Sequence, residues 1–307
     1  MSDKTLAKDA IKEKYAAERA KRLRSDGNEQ YVRLEGEFEN YAKDPHLPVC
    51  ERSPVKDHVT VALVGAGFSG LVVGAQLKQA GISDIRLIDK GGDVGGTWYW
   101  NRYPGARCDT AARIYLPLLE ETGYMPSEKY VRGPEIFNHC LRIARHFGLY
   151  RKALFHTEVT SIEWQTEREV WRIRTSRDDD FTAKYVAMGT GPLHVAKLPG
   201  IPGIETFKGK SFHTSRWDYD FTGGDEFGAP MKRLADKRVA VIGTGATGVQ
   251  CIPPLAAASK SLFVFQRTPS SVDQRNIQKI DPDWFQSVST PGWQKRWMDN
   301  FVENMGG

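Results

Sequence analysis

Residues 58–89 read HVTVALVGAGFSGLVVGAQLKQAGISDIRLID, and this stretch decides the fold. An apolar, β-branched run (58–64) leads into the glycine turn GAGFSG (65–70). A segment with one apolar helical face (71–81) follows, and IRLID (85–89) is a second apolar run. The pattern predicts a strand, a glycine turn, a helix and a strand in that order. This order is the first unit of a dinucleotide-binding α/β domain.

The three glycines of this turn have separate roles. Gly65 allows the tight turn, Gly67 lets a pyrophosphate approach the backbone, and Gly70 lets the helix pack closely on the strand. The helix N-terminus then presents free N–H groups and a partial positive charge to phosphates. Asp89 lies 19 residues after Gly70, near the offset of about 20 residues at which a carboxylate accepts a ribose hydroxyl. We therefore predict a nucleotide site at this turn.

A second turn, GTGATG (243–248), repeats the arrangement between two apolar runs. Arg267 lies 19 residues after Gly248 and so takes the place that Asp89 has after the first turn. A guanidinium cannot accept a hydrogen bond from a hydroxyl, but it can bind a 2′-phosphate through two contacts. The first turn therefore suits FAD and the second suits NADP, and a surface arginine without a ligand is the alternative for Arg267. Two such sites indicate a flavoprotein that a nicotinamide nucleotide reduces.

We predict an α/β protein with two Rossmann-like dinucleotide-binding domains, for FAD and NADP, the second incomplete, and a helical N-terminal extension. The extension covers residues 1–57, the FAD-binding domain 58–206, the linker 207–236 and the partial NADP-binding domain 237–307. Positions 4–24 of the extension are rich in Ala, Lys, Glu and Arg, which predicts a solvated helix; a partner-binding or membrane-surface role is the alternative. A dinucleotide domain needs further strands after Thr268, so we expect the front part of a longer protein.

The composition excludes several other classes. Hydrophobic residues make up 40% and charged residues 26% of the 307 residues, as in an ordinary globular protein. The net charge of +5 is spread among acidic residues and gives no case for nucleic acid. The first 24 residues have no apolar region and no run approaches about 18 apolar residues, so we expect neither a signal peptide nor a membrane span. Four cysteines without a CxxC pair predict reduced thiols and no metal site. We expect a cytoplasmic protein without membrane or nucleic-acid partners.

The loop GGDVGGTWYWNRYPGARCDT (91–110) has the composition of a ligand-contacting segment. Its glycines permit close approach of a ligand to the backbone, and its Trp and Tyr residues supply flat apolar surface with polar tips. A loop that only fills a gap in the core would explain the tryptophans. It would not explain Arg102, Arg107 and Asp109 in the same run.

A further segment, FKGKSFHTSRWD (207–218), places Phe, Gly, His and Trp at a spacing that fits neither a helix nor a strand. Together with GGTWYWNRYPGARCD (95–109), it resembles the type I Baeyer–Villiger monooxygenases, which are class B flavoprotein monooxygenases. The loop is similar to their flavin-contacting loop. The segment matches their signature Phe-x-Gly-x-x-x-His-x-x-x-Trp followed by Pro or Asp. Trp217 separates them from the related N-hydroxylating and flavin-containing monooxygenases, which usually lack this tryptophan.

The resemblance implies a reaction in which FAD, reduced by NADPH, uses O2 through a C4a-peroxyflavin to oxidise a ketone to an ester or lactone. Asp109 would orient the family's catalytic arginine, which lies outside this chain. His213 would couple cofactor binding to domain movement, and a hydrogen-bonded linker histidine without a special role is the alternative. The implied FAD contacts are Thr97, Trp98, Tyr99, Trp100, Asp109 and Tyr115. The implied NADP contacts are Arg107, Cys108, Asp109, Thr244, Gly245, Ala246, Thr247, Gly248, Val249 and Gln250, with Arg267 and Thr268 on the 2′-phosphate.

Two other functions stay open at this point. One is a truncated, catalytically incomplete nucleotide-binding fragment, and the other is a related flavin N-hydroxylating monooxygenase. A disulfide reductase with two dinucleotides is disfavoured because no redox CxxC or CxxxxC pair occurs. The sequence does not specify the ketone or the oligomeric state.

Overall fold

The computed structural model describes residues 3–305, with side chains for residues 8–304, and it contains nine strands and ten α-helices in that part of the chain. The strands are β1 (Tyr31–Val32), β2 (His58–Val64), β3 (Ile85–Ile88), β4 (Val159–Gln165), β5 (Val170–Thr175), β6 (Asp180–Met188), β7 (Leu198–Pro199), β8 (Arg238–Ile242) and β9 (Ser261–Phe265). The helices are α1 (Asp3–Ala20), α2 (Phe68–Gln79), α3 (Thr97–Trp100), α4 (Ala112–Tyr115), α5 (Leu119–Thr122), α6 (Gly133–His146), α7 (Tyr219–Thr222), α8 (Ala246–Ala258), α9 (Pro282–Val288) and α10 (Trp293–Met305).

The central sheet has five strands in the order β3-β2-β6-β5-β4. Strand β2 pairs in parallel with β3 and β6, whereas β5 is antiparallel to both β6 and β4. A parallel strand that is buried on both faces needs a nearly continuous apolar run, and β2 supplies one with Val59, Ala62 and Leu63 at most 1% exposed. The carboxyl end of β2 therefore lies between two parallel neighbours, where sheets of this kind bind ligands.

Helix α2 covers one face of this sheet and continues directly from the glycine turn. Its Leu71 and Ala75 are fully buried in a cluster that also holds Leu63 of β2 and Ile143 of α6. Gly74 of α2 faces Leu149 so closely that an added Cβ would lie 3.0 Å from the leucine Cδ2. This packing fixes the start of α2 relative to the strand ends.

The second unit consists of β8, the turn, α8 and β9, as the sequence predicts. Strands β8 and β9 pair in parallel, with Val239 opposite Leu262. Cys251 and Leu255 of α8 are buried against the linker side chain Trp217. The fold is thus α/β with two Rossmann-like units, of which the second shows two strands within residues 3–305.

The N-terminal extension begins with α1 and then continues across the surface of the domain. Tyr31 and Val32 pair antiparallel with Pro199 and Leu198, so β1 joins the extension to the segment after β6. The side chain of Arg52 forms an ion pair with the buried Asp179 at 2.6 Å. None of the helices described here is long and apolar enough to cross a membrane.

Candidate functional site

A cavity of about 490 Å³ lies at the carboxyl ends of β2, β3 and β6. Its volume falls within the range of about 300–1,000 Å³ that is usual for ligand sites. Several residues predicted to contact FAD line it, namely Gly65, Gly67, Asp89, Thr97, Trp98, Trp100 and Tyr115. These predicted FAD contacts therefore lie together on one side of the cavity.

The three glycines of the first turn are required for different reasons. Gly65 has a φ of +103°, and an added Cβ would lie 2.2 Å from the Gly189 carbonyl oxygen. At Gly70 a Cβ would lie 1.9 Å from the Gly65 carbonyl oxygen, so this glycine allows α2 to approach the turn. At Gly67 the nearest atom to an added Cβ is the Gly96 Cα at 3.4 Å, an ordinary contact. The protein itself would accept an alanine at Gly67, so a ligand approaching the backbone accounts for this glycine.

Asp89 stands at the cavity wall and is bonded to the backbone of the turn. Its two carboxylate oxygens accept hydrogen bonds from Ala66 N at 2.6 Å and from Gly91 N at 2.7 Å. Burial raises the pKa of Asp89, and these two N–H groups partly offset that effect. Among the residues that the structure describes, no lysine or arginine forms an ion pair with Asp89. The carboxylate is thus fixed in place and suited to accept a hydroxyl of a ligand.

The second turn has nearly the same backbone as the first. Its middle glycine, Gly245, has even more room than Gly67, because an added Cβ would meet nothing within 4 Å. Its last glycine, Gly248, again faces the first glycine carbonyl of its own turn, with a Cβ-to-oxygen distance of 2.6 Å. The corresponding φ angles are +103° and +102° at Gly65 and Gly243, and −76° and −70° at Gly67 and Gly245. The chain therefore contains two glycine turns of the same backbone shape, Gly65–Gly70 and Gly243–Gly248, which we call the first and second cradle.

The predicted NADP contacts from Thr244 onward lie on or near this second turn. Arg267 is exposed just after β9, and its Nη1 donates to Gln30 Oε1 at 2.9 Å. The Thr244 hydroxyl donates to the Thr268 carbonyl at 3.3 Å. Gln250 is directed away from the turn. Its Nε2 donates to the Arg107 carbonyl at 2.7 Å and so joins α8 to residues 91–110, the aromatic loop. The others, Gly245, Ala246, Thr247, Gly248 and Val249, form the turn and the first turns of α8.

Within the loop 91–110, four of the predicted cofactor residues do not line the cavity, and neither does Gly70 of the first turn. Tyr99 is fully buried on the opposite side of α3, and its hydroxyl donates to Asp44 at 2.5 Å. Arg107 forms an ion pair with Glu128. Cys108 is buried, and burial raises the pKa of its thiol. The Asp109 side chain is 77% exposed and lies 3.9 Å from Arg275. The structure does not bring these four residues to the cavity.

His213 and Trp217 of the signature segment also lie away from the cavity. The Nδ1 atom of His213 accepts a hydrogen bond from Ser215 N at 3.1 Å and caps the short 3₁₀ helix Thr214–Arg216. Burial and the nearby Arg216 lower the pKa of His213 to about 4, so the ring is neutral near pH 7. Trp217 is buried and donates to the Thr222 hydroxyl at 3.1 Å. Both contacts stabilise the linker.

The opposite wall of the cavity contains residues that the sequence did not identify. It is formed by the start of β4 and by the segment after β6, with Thr157, Glu158, Val159, Thr160, Ser161, Ile162, Met188, Gly189, Thr190, Gly191, Leu193 and His194. The glycine-containing end of the run KYVAMGTG is the only signal for it in the sequence. Asp44 was also missed, although it accepts hydrogen bonds from both Gly92 N and the Tyr99 hydroxyl.

Fold and site together define a Rossmann-type protein with two dinucleotide cradles. A family described as NAD(P)-binding Rossmann-like domain matches residues 63–145. The chain is 54% identical over 294 residues to neopentalenolactone D synthase of Streptomyces avermitilis, covering 95% of this chain and 49% of that protein. It is 52% identical over 298 residues to a Baeyer-Villiger monooxygenase of Streptomyces coelicolor, covering 97% and 49%.

Solved structures agree with these relatives. The polycyclic ketone monooxygenase of the thermophilic fungus Thermothelomyces thermophila matches with a TM-score of 0.91 and 40% identity, covering 96% of this chain and 50% of that one. The OTEMO complex with FAD and NADP matches with a TM-score of 0.66 and 33% identity, covering 82% and 45%. The chain is therefore similar to Baeyer–Villiger monooxygenases, and it spans about half the length of the curated relatives it matches.

Proposed function

We propose that this chain provides the dinucleotide-binding part of an FAD- and NADPH-dependent Baeyer–Villiger monooxygenase, which inserts one oxygen atom of O2 beside the carbonyl of a small-molecule ketone. The observation that carries the proposal is the pair of matched cradles with opposite charges at the following strand ends, Asp89 and Arg267. We also propose a cytoplasmic location, since all four cysteines are free thiols.

The first cradle has the shape and donor groups that FAD requires. The open backbone face at Gly67 and the N-terminal N–H groups of α2 would bind the pyrophosphate. The fixed carboxylate of Asp89 would accept the ribose hydroxyl. Trp98 and Trp100 would pack against the bound group and exclude water from that side, and Trp98 is oriented by its 2.9 Å hydrogen bond to the Tyr115 hydroxyl. When bound, FAD supplies the redox and oxygen chemistry.

The second cradle fits NADP for the same reasons, except that the residue after its second strand is the cation Arg267 and not a carboxylate. Gly245 leaves its backbone open, and α8 begins directly after it. The guanidinium of Arg267 would bind the 2′-phosphate in a two-point contact, with Thr268 beside it. Gln30 holds one Nη atom of Arg267 and leaves the remaining donors free for the ligand. Asp109 is our proposed orienting residue for a catalytic arginine, and its exposed carboxylate is accessible for that contact.

The test is a pair of matched alanine substitutions at the two middle glycines. Gly67→Ala and Gly245→Ala each add one methyl group at a position where the fold has room for it. We expect Gly67→Ala to abolish FAD binding with little change in thermal stability. Gly245→Ala should leave FAD binding intact and weaken NADPH binding. FAD binding is measured by flavin absorbance after gel filtration, and NADPH binding is measured by the fluorescence of the coenzyme.

A second measurement addresses the coenzyme. Under anaerobic conditions, the flavin bound to the wild-type protein should bleach faster with NADPH than with NADH. A purified protein that takes up no FAD, or one in which Gly67→Ala binds FAD as the wild type does, would contradict the proposal.

A further inference from the structure

Arg216 is a buried cation within the signature segment 207–218. It is 8% exposed, and no carboxylate in the described part of the chain lies within ion-pair distance of its guanidinium. Burial lowers the pKa of Arg216 to about 10, so it stays protonated near neutral pH. A buried charge without a counter-ion is costly and persists only where hydrogen bonds satisfy it. The contacts of this side chain therefore need an explanation.

The guanidinium contacts three separate segments of the chain. Its Nε donates to the Lys43 carbonyl at 3.2 Å, and its Nη2 donates to the His194 carbonyl at 3.2 Å. Its Nη1 donates to the Ser215 carbonyl at 3.0 Å. The guanidinium carbon lies over the Trp100 ring, 4.3 Å from the ring centre. Trp100 and His194 belong to opposite walls of the cavity, so one side chain bridges both.

The wall that contains His194 depends on such side-chain contacts. Gly189 N donates to the Val64 carbonyl at 2.7 Å, but among the backbone bonds of residues 3–305 none is donated by the N–H groups of 190–195. The other bridge is Asn101, whose Nδ2 donates to the Leu193 carbonyl at 3.0 Å and to the Thr97 carbonyl at 2.9 Å. Arg216 and Asn101 thus connect the segment 189–194 to α3.

We propose that Arg216 is a positioning residue that holds the segment 189–194 against α3 and thereby retains the dinucleotide in the cavity. This inference rests on the proposed FAD site. A lysine would keep the positive charge, but its single ammonium group cannot reproduce the planar fork that reaches separate carbonyls and stacks on an indole. The bridging role therefore predicts that lysine fails to replace arginine, whereas a purely electrostatic role predicts that it succeeds.

The experiment compares Arg216→Met and Arg216→Lys with Arg86→Met. Arg86 is the matched control because it is also buried, at 2% exposed, and also stacks on an aromatic ring, with 4.6 Å to the Phe181 ring centre. It pairs with Asp57 and does not line the cavity. The FAD dissociation constant and dissociation rate are measured by flavin fluorescence, and thermal unfolding is measured without FAD.

We expect both Arg216 variants to bind FAD at least roughly tenfold more weakly, mainly through faster dissociation, as expected for losing about 1.4 kcal/mol of binding free energy. Arg86→Met should lower the unfolding temperature while FAD affinity stays within twofold of wild type. Asn101→Ala should weaken FAD binding in the same direction and decides the question if Arg216→Met does not fold. Wild-type FAD affinity in Arg216→Lys would overturn this inference, and so would an equal loss of FAD affinity in Arg86→Met. Either result would leave the proposed function intact. A wild-type protein that binds no FAD would overturn the proposed function as well.

Discussion

Replacing Asp44 with asparagine tests whether the N-terminal extension supports the aromatic loop. The Asp44 side chain is 5% exposed. One carboxylate oxygen accepts from Gly92 N at 2.8 Å and from the Tyr99 hydroxyl at 2.5 Å, and it lies 3.0 Å from His156 Nε2. The other oxygen accepts from His46 N at 2.8 Å. Asparagine has nearly the same shape but has no charge and only one accepting oxygen.

The size of the effect follows from these bonds. A hydrogen bond to a charged group contributes about 1.5–3 kcal/mol to stability, against about 0.5–1.5 kcal/mol for a neutral one. The bonds from Gly92 N and the Tyr99 hydroxyl would become neutral at a cost of about 1 kcal/mol each, and the bond from His46 N would be lost at a cost of about 2 kcal/mol. Relief from burying a charge returns part of this total. We therefore expect Asp44→Asn to lower the free energy of unfolding by about 2 kcal/mol at pH 7.

The effect should depend on pH in a defined direction. Burial raises the pKa of Asp44, but hydrogen bonds from the Tyr99 hydroxyl and from the N–H groups of His46 and Gly92 outweigh it, so the pKa in the folded protein is lowered. A lowered folded pKa stabilises the protein above the unfolded value of about 3.9 and loses that effect as pH falls through the folded pKa. The difference between wild type and Asp44→Asn should therefore be constant above about pH 5 and shrink in more acidic solution.

The assay is equilibrium urea unfolding followed by tryptophan fluorescence, with Glu39→Gln as the control. Glu39 lies in the same extension and pairs with Lys43, but both side chains are 62% exposed. An exposed pair of this kind contributes about 0–1 kcal/mol, so Glu39→Gln should change stability by less than about 0.5 kcal/mol. The reasoning is refuted if Asp44→Asn is as stable as this control, or if its difference from wild type does not shrink in acid.

Two further predictions concern the glycine turns. Gly70→Ala should lower the free energy of unfolding by more than about 3 kcal/mol or prevent folding, because its Cβ would lie 1.9 Å from the Gly65 carbonyl oxygen and neither backbone can move freely. Urea unfolding of Gly70→Ala and Gly67→Ala side by side measures the difference. Arg267→Gln should raise the dissociation constant of NADPH by about 10–100-fold through loss of a charged contact to the 2′-phosphate, and should leave that of NADH unchanged, as measured by titration of coenzyme fluorescence. An unchanged ratio of the two constants would count against the assignment of Arg267.

Local sequence patterns predicted the two turns well because their causes are local. Strand β2 covers 58–64 as the apolar run indicates, and the second unit has the predicted strand, turn, helix and strand. Helix α2 begins at Phe68 rather than at residue 71, because the last glycine of the turn is already helical. The turn itself requires a positive φ at its first glycine, so the glycine motif in the sequence is enough to predict the turn.

The side-chain directions in the aromatic loop could not be predicted in the same way. Residues 97–100 form a single helical turn, in which neighbouring side chains point about 100° apart. Trp98 and Trp100 line the cavity, whereas Tyr99 is directed away from it toward Asp44. A helix of four residues is too short to show a periodic pattern. The partners of this turn come from distant parts of the sequence, which no local pattern encodes.

The extension consequently has two different parts. Residues 8–20 of helix α1 have the exposed, charged character that the composition predicts. Farther along, the Lys43 carbonyl accepts from Arg216, and the next residue, Asp44, accepts from the Tyr99 hydroxyl. Tyr99 and Trp100 are adjacent on one helical turn, and their rings are in contact. These contacts therefore support the Trp100 indole on the side that faces away from the cavity. The segment around residues 43 and 44 therefore connects the signature segment to the wall of the nucleotide site, and its charge pattern gave no sign of this role.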